Sequence, residues 1–301
     1  MKKIFLTQSR SAAKIQSFFC KFSFAVLQLC AFALIFVLPV IAQKLAIVVP
    51  EKTVQSQSFA DKIADSLSHK FKILDNSLSE TAFRSVEIES VFNLTNTESK
   101  NIGAVIGCDY LLLIKSANQR RAALSKNDYY ESFAVIYVVS SRTGRLVDWK
   151  LHSFEAKTQS EAEKLLLAST AQAADKIGEK LRLINKQEPD EKTAPKIEEV
   201  PNKNSADAKN FRPPLPFKRI KPEYTRLAYL YSVAATIEIE IDLDENGNIL
   251  RTVIVRWAGF GLDESVSEIV RKMNWRPAER NGKTLPMRIL LRYNFRKLTG
   301  S

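Results

Sequence analysis

From Thr236 to Leu243 the chain alternates without a break. Ile237, Ile239, Ile241 and Leu243 fall on one side, and Thr236, Glu238, Glu240 and Asp242 on the other. Successive strand side chains point to opposite faces, so this pattern predicts a half-buried strand and excludes a helix. Asp244-Glu245-Asn246-Gly247 supplies turn chemistry, and Ile249 to Trp257 returns as a second strand of a hairpin. Leu262, Val266, Ile269 and Met273 then recur at helical spacing, with Asp263 placed to cap the first turn. Trp275 is expected to close that apolar face and Pro277 to stop the helix. After the Asn281-Gly282 turn, Met287, Ile289, Leu291, Tyr293 and Phe295 alternate with Arg288, Arg292 and Arg296. This is a third strand, apolar on one face and basic on the other. Ile220 to Phe295 is therefore a β-β-α-β unit with one helix on a three-stranded sheet.

Six short pieces of this unit fall in a familiar order. They are Pro222-Glu223-Tyr224, Ala228, Asp244 to Gly247, Gly261-Leu262-Asp263-Glu264, Trp275-Arg276-Pro277-Ala278 and Asn281-Gly282. In that order they resemble the TonB C-terminal domain, over about a quarter of the chain. Thr225 stands where that family usually has a second proline, and Ser265 where it usually has alanine. The resemblance implies a domain that captures a short periplasmic segment of an outer-membrane TonB-dependent transporter. A sheet edge accepts such a segment as an added strand. The family arrangement places the third strand at that edge, so the implied contact stretch is Arg288, Ile289, Leu290, Leu291, Arg292, Tyr293, Asn294 and Phe295.

Upstream, residues 1–21 carry five basic residues and no acid, and Phe22 to Ala42 is apolar apart from Ser23 and Gln28. That run is long enough to span a bilayer. It also ends in Val40-Ile41-Ala42 before Gln43, a small-residue cleavage pattern. Residues 1–42 thus read as either a signal peptide or a membrane anchor, and both send the following chain across a membrane. TonB-type anchors usually carry a serine and a histidine on one helix face that engage a proton-driven ExbB/ExbD-like motor; this run has no histidine.

Residues 43–186 predict a mixed α/β domain in the order β-α-β-α-α-β-β-β-α. The strands are Leu45–Val49, Phe71–Leu74, Tyr110–Ile114, Tyr129–Val139 and Leu146–Phe154. The helices are one opened by Ser58 and Asp61, Thr81–Phe92, Glu98–Ile106 and a long one behind a Ser160/Glu163 capping box. Gly107-Cys108-Asp109-Tyr110-Leu111-Leu112-Leu113 and Thr143-Gly144-Arg145-Leu146 resemble an envelope family that groups the TolB amino-terminal domain with CsgG-like and LpoB-like proteins. Residues 187–210, rich in proline and charge, read as a linker. Phe211 to Pro216 could approach the last domain, 211–298, as polyproline II.

The charge is uneven. Residues 43–210 hold 24 basic against 23 acidic side chains, and 211–301 hold 16 against 10. The arginines of the third strand are spaced along one face without aromatics on that face, which argues against nucleic acid. Cys20, Cys30 and Cys108 offer no intrachain disulfide, and Cys108 reads as a small core residue. No phosphate loop, metal-ligand spacing or nucleophile motif is present, so neither enzyme nor cofactor is expected. Glu238, Glu240 and Asp242 are expected on a solvated strand face.

Two functions remain open from sequence. One is a TonB-like envelope protein that binds transporters and, if its anchor is retained, transmits motor force. The other is a secreted periplasmic scaffold with a TonB-fold interaction module and no energy coupling.

Overall fold

The strand residues of the 43–186 segment are apolar at odd and even positions alike, which demands a sheet covered on both faces. The computed structural model describes residues 43–123, 126–187, 197–201, 204–205 and 208–297, and within it both faces are covered. The signal or anchor expected at 1–42 lies outside the described residues, and among the described residues no helix is long and apolar enough to cross a membrane.

The large sheet has the order β2-β1-β3-β4-β5. Its strands are β1 (Lys44–Val48), β2 (Lys72–Ile73), β3 (Tyr110–Ala123), β4 (Lys126–Ser140) and β5 (Leu146–Ala156). β1 runs parallel to β2 and β3, whereas β3, β4 and β5 form an antiparallel meander. One face, with Leu45, Ile47, Leu112, Ile136 and Val138, packs on helices α1 (Val54–Leu67), α4 (Gln159–Ala168) and α5 (Thr170–Gln187). The other face presents Val48, Leu111, Leu113, Phe133, Val135 and Tyr137. Helices α2 (Asn76–Arg84) and α3 (Asn96–Ile106) lie earlier in the chain than β3 and complete this part of the fold.

Four local expectations shift. Thr53, not Ser58, caps α1: its hydroxyl accepts from the Ser56 N–H at 3.0 Å, so the helix starts a turn earlier. Helix α2 ends at Arg84 instead of running to Phe92, and Ser85 to Asn93 turns into the contact with the C-terminal portion. Thr158, not Ser160, caps the helix after β5, through the Glu161 N–H at 3.3 Å. The single long helix expected there breaks at Ser169, whose backbone caps α4 before α5 begins.

The C-terminal portion holds a second sheet of order β13-β8-β9. Its strands are β8 (Ala235–Leu243), β9 (Ile249–Arg256) and β13 (Met287–Phe295), packed on α7 (Leu262–Arg271). Short pieces frame it: β6 (Phe211–Arg212), β7 (Leu215–Pro216), α6 (Arg226–Leu230), β10 (Trp275–Arg276), β11 (Ala278–Arg280) and β12 (Lys283–Leu285). β7 pairs with β10 and β6 with β11, so Phe211–Pro216 approaches as two strands, not as a solvated polyproline segment. Helix α7 stops at Arg271; Trp275 is already strand, and Pro277 plays no part in ending the helix. Asp263 does not cap α7 either. Gly261 holds that position, and the Asp263 carboxylate instead accepts the N–H groups of Ala258 (3.1 Å) and Gly259 (2.6 Å).

The described residues from Gln43 to Lys297 belong to one compact unit. The second face of the large sheet and the inner face of the small one share a core. Trp257, 1% exposed, stands at the centre. Its indole N–H donates to the Gly144 carbonyl at 3.2 Å, and its ring lies 5.8 Å from that of Tyr137. Phe260 stacks on Trp149 at 5.2 Å. Gly259, at φ 72°, passes so close that an added Cβ would lie 3.2 Å from Trp149 and 3.3 Å from Tyr137.

Several polar groups pair across this seam. The Asn93 amide donates to the carbonyls of Thr236 (2.9 Å) and Trp257 (2.7 Å) and accepts from the Thr236 N–H (2.9 Å). Such pairing removes the penalty of burying backbone groups where β8 begins and β9 has ended. Glu131, 4% exposed, accepts from Arg121 (2.6 Å), Gln119 (2.8 Å), Ser153 and Tyr231. Burial alone would raise the Glu131 pKa, but the Ser153, Tyr231 and Arg121 hydrogen bonds prevail and hold it below the usual carboxylate range.

Trp257→Ala should cost about 3–5 kcal/mol, the range for truncating a buried tryptophan. Because the ring serves both sheets, guanidinium denaturation followed by far-UV and near-UV signals should shift as one transition. Loss of the small sheet alone would show that the seam is not a shared core.

Candidate functional site

The residues that resemble a docking edge assemble around β13. Pairing with β8 runs in unbroken antiparallel register from Met287↔Leu243 to Phe295↔Ala235. Met287, Ile289, Tyr293 and Phe295 are buried, Leu291 is half-buried, and Leu290, Arg292 and Asn294 are exposed. β13 is the outermost strand, with β8 on one side only. Backbone N–H and C=O groups alternate sides along a strand. The Arg288 N–H and the Arg292 carbonyl both face away from β8, since they bond Glu198 (2.7 Å) and the Arg219 guanidinium (3.2 Å). The open side is therefore served by Arg288, Leu290, Arg292 and Asn294.

The outer face of this sheet departs from expectation. Glu238 and Asp242 are not solvated: they are 7% and 1% exposed. The register explains it. Arg288 lies opposite Asp242 and Arg292 opposite Glu238, so the acidic face of β8 and the basic face of β13 are one surface. Arg288 binds Asp242 through two nitrogens at 2.6 and 3.0 Å, Arg251 of β9 binds it at 2.9 Å, and Arg292 binds Glu238 at 2.8 Å. These cross-strand pairs hide the acids beneath the arginine stems. Burial pushes the Asp242 carboxyl up, but the Arg288 and Arg251 hydrogen bonds prevail and hold it below its ordinary range. Glu240, opposite Leu290, has no such bidentate partner and is raised, chiefly by burial.

Beyond Arg292 the edge meets an apolar groove of about 360 Å³, lined by Pro222, Tyr224, Tyr229, Tyr293 and Phe295 with Lys221, Asn294 and Arg296. Tyr224 stacks on Phe295 at 6.2 Å. Its hydroxyl donates to the Val233 carbonyl at 2.8 Å, which anchors the chain just before β8. The two departures from the family pattern carry contacts. Thr225 caps α6 through the Ala228 N–H (3.1 Å) and donates to the Phe260 carbonyl (2.6 Å). Ser265 brackets the Glu223 backbone, accepting at 3.0 Å and donating at 3.1 Å. The turn motif is likewise packed: a Cβ on Gly247 would lie 2.3 Å from the Trp275 carbonyl oxygen.

The module is a β-β-α-β unit in which β13 is a lateral strand of the sheet, and a lateral strand carries backbone groups that can pair with an extended segment. Residues 220–296 match the family model described as Gram-negative bacterial TonB protein C-terminal, and this region is a TonB C-terminal domain joined to a larger mixed α/β domain. Among solved structures the chain is similar to the TonB C-terminal domain of Pseudomonas aeruginosa, with 16% identity, 33% of this chain and 94% of that chain covered, and a TM-score of 0.26. It is also similar to a lipoprotein of Neisseria meningitidis (14% identity, 46% and 99% covered, TM-score 0.32). A third is the LpoB C-terminal domain of Salmonella enterica (13% identity, 38% and 84% covered, TM-score 0.26). No curated protein matches the chain.

What the sequence missed is the Arg–Asp ladder and the Arg219 contact. The strict alternation of Glu238, Glu240 and Asp242 against Arg288 and Arg292 was visible, but the pairing needs a register that only the fold supplies.

The ladder predicts an acid response. A carboxyl whose folded pKa lies below its unfolded value near 3.8 stabilises fully above that value and loses its contribution as pH falls through the folded pKa. Asp242→Asn should cost about 1.5–3 kcal/mol at neutral pH, the range for charge-assisted hydrogen bonds. Its urea midpoint should fall less than the wild type's on acidification below pH 4. Parallel midpoint curves for the two proteins would contradict the ladder.

Proposed function

We propose that the chain is a TonB-like protein of the cell envelope that captures extended periplasmic segments of outer-membrane transporters by strand addition to β13. The observation that carries this reading is the open side of β13, where the Arg288 amide and the Arg292 carbonyl point away from the sheet. A segment added there gains main-chain hydrogen bonds for affinity. The groove of Tyr224, Tyr229 and Phe295 offers a place for an alternate side chain, which supports selectivity.

Leu290→Pro tests the edge. Leu290 is 52% exposed and turns its backbone to the open side, so proline removes one docking donor. Arg292 is less suited, because its guanidinium also pairs with the buried Glu238. Binding of synthetic transporter segments to Leu290→Pro should weaken about 3- to 10-fold, the worth of one hydrogen bond, while the melting transition stays cooperative. Unchanged affinity in a folded variant would reject β13 as the docking strand.

A second reading is favoured by the shared core. The C-terminal module rests on the larger sheet through Trp257 and Phe260, an arrangement suited to a fixed scaffold in the periplasm. In that reading the protein is secreted and transmits no force; in the first, an anchored N-terminus would engage an ExbB/ExbD-like motor. Sequencing the mature N-terminus from an envelope fraction separates them. A start at Gln43 with release by osmotic shock selects the scaffold. An intact Lys2-Lys3 end in the inner membrane selects the transducer.

A further inference from the structure

The open side of β13 is already touched by the chain itself. Glu199 forms a parallel bridge with Arg288, and the Arg288 N–H donates to the Glu198 carbonyl at 2.7 Å. The Glu198 carboxylate takes two hydrogen bonds from the Arg280 guanidinium of β11, at 2.6 and 3.2 Å. Arg280 is itself set by the Phe211 ring beneath it, 5.5 Å from centroid to guanidinium carbon. So an acidic stretch, Ile197-Glu198-Glu199-Val200, lies along the first residues of the edge and runs in the same direction as β13.

We propose that Glu198–Val200 is a resident occupant of the docking edge. A partner strand must displace it, and Arg280 favours a partner that brings an acidic side chain in parallel alignment. This inference rests on the reading of β13 as the docking strand and adds the occupant, the direction and the charge of the partner.

The hold is weak by construction. Glu198, Glu199 and Val200 are exposed and Ile197 is only half-buried, so no fully buried apolar side chain anchors the stretch. The Arg280–Glu198 pair is partly solvated, with side chains 28% and 48% exposed, and pairs in that setting contribute little. Among the described residues, the Glu199–Arg288 bridge with its Arg288–Glu198 backbone hydrogen bond and one such ion pair hold the stretch. A partner strand that continued past Arg288 would add the outward groups of Leu290, Arg292 and Asn294. Competition of this kind lowers apparent affinity by the fraction of molecules whose edge is open. It also covers part of an edge that would otherwise invite non-specific pairing.

The test uses the full chain, as wild type and as Glu198→Arg, which sets like charges against each other at Arg280. Two quantities are read: hydrogen exchange of the Arg288 amide, and affinity for a labelled synthetic peptide carrying residues 196–201. Glu198→Arg should speed the exchange and bind the peptide about 3- to 10-fold tighter than wild type, because the cis occupant no longer competes. The double variant Glu198→Arg/Arg280→Glu reunites the opposite charges and should return the exchange to the wild-type rate. Equal exchange and equal peptide affinity in wild type and Glu198→Arg would overturn the proposal. So would faster exchange without any peptide binding, since the edge would then be open yet not select an acidic strand. Transporter segments that bind wild type and Glu198→Arg alike would overturn the occupant and leave the docking edge standing. Failure of the edge itself is read separately, from Leu290→Pro.

Discussion

The large sheet has two apolar faces, and helices α1, α4 and α5 cover only one. Everything else in the described structure follows from the need to cover the other. Leu111, Leu113, Val135 and Tyr137 lie there in one core with Phe83 of α2, Ile102 of α3 and the C-terminal portion. Trp257 and Phe260 answer that need from a loop whose backbone is held in left-handed conformations at Gly259, Phe260 and Gly261. A Cβ at Gly259 would crowd the Trp149 and Tyr137 rings, so close approach and conformation favour glycine at the same point. The position of β13 is thereby tied to the large sheet.

The same coupling appears in the polar groups. Glu131 belongs to β4, yet it is satisfied in part by Tyr231, which follows α6. Asn93 belongs to the turn after α2, yet it completes the hydrogen bonding of β8 and of the residue after β9. Each of these groups is buried, and each would lose partners if the seam opened. Buried polar networks of this kind are costly when half-satisfied, which favours one arrangement of the two portions over many.

On the far side of the small sheet, chemistry of a different sort sets the edge. Arg288 has its side chain on Asp242 and its backbone N–H on the open side. The ladder thus stiffens the strand whose other groups remain for pairing. Arg219, from the segment that precedes α6, reaches the same edge at Arg292. The result is a rim of arginines along the open side of β13.

Much of this was legible in order but not in place. Period-2 alternation identified β8 and β13 because a strand leaves no other way to separate isoleucine from acid and arginine from aromatic residues. The turn residues Asp244 to Gly247 and Asn281-Gly282 identified the connections, since local φ values depend on local chemistry. The acids of β8 were misread as solvated. One strand shows only that Glu238 and Asp242 share a face; it cannot show that Arg292 and Arg288 stand opposite them. Thr53 and Thr158 were passed over as caps because several hydroxyl residues sit near each helix start, and helix packing selects among them. The sequence by itself determined the long strands β8 and β13, the turns after β8 and β11, and that the larger sheet must be buried twice. Tertiary structure alone decided that the TonB-like module joins α2 and α3 in the second cover, and that Glu198 lies on the edge, because both depend on contacts between residues far apart in the chain.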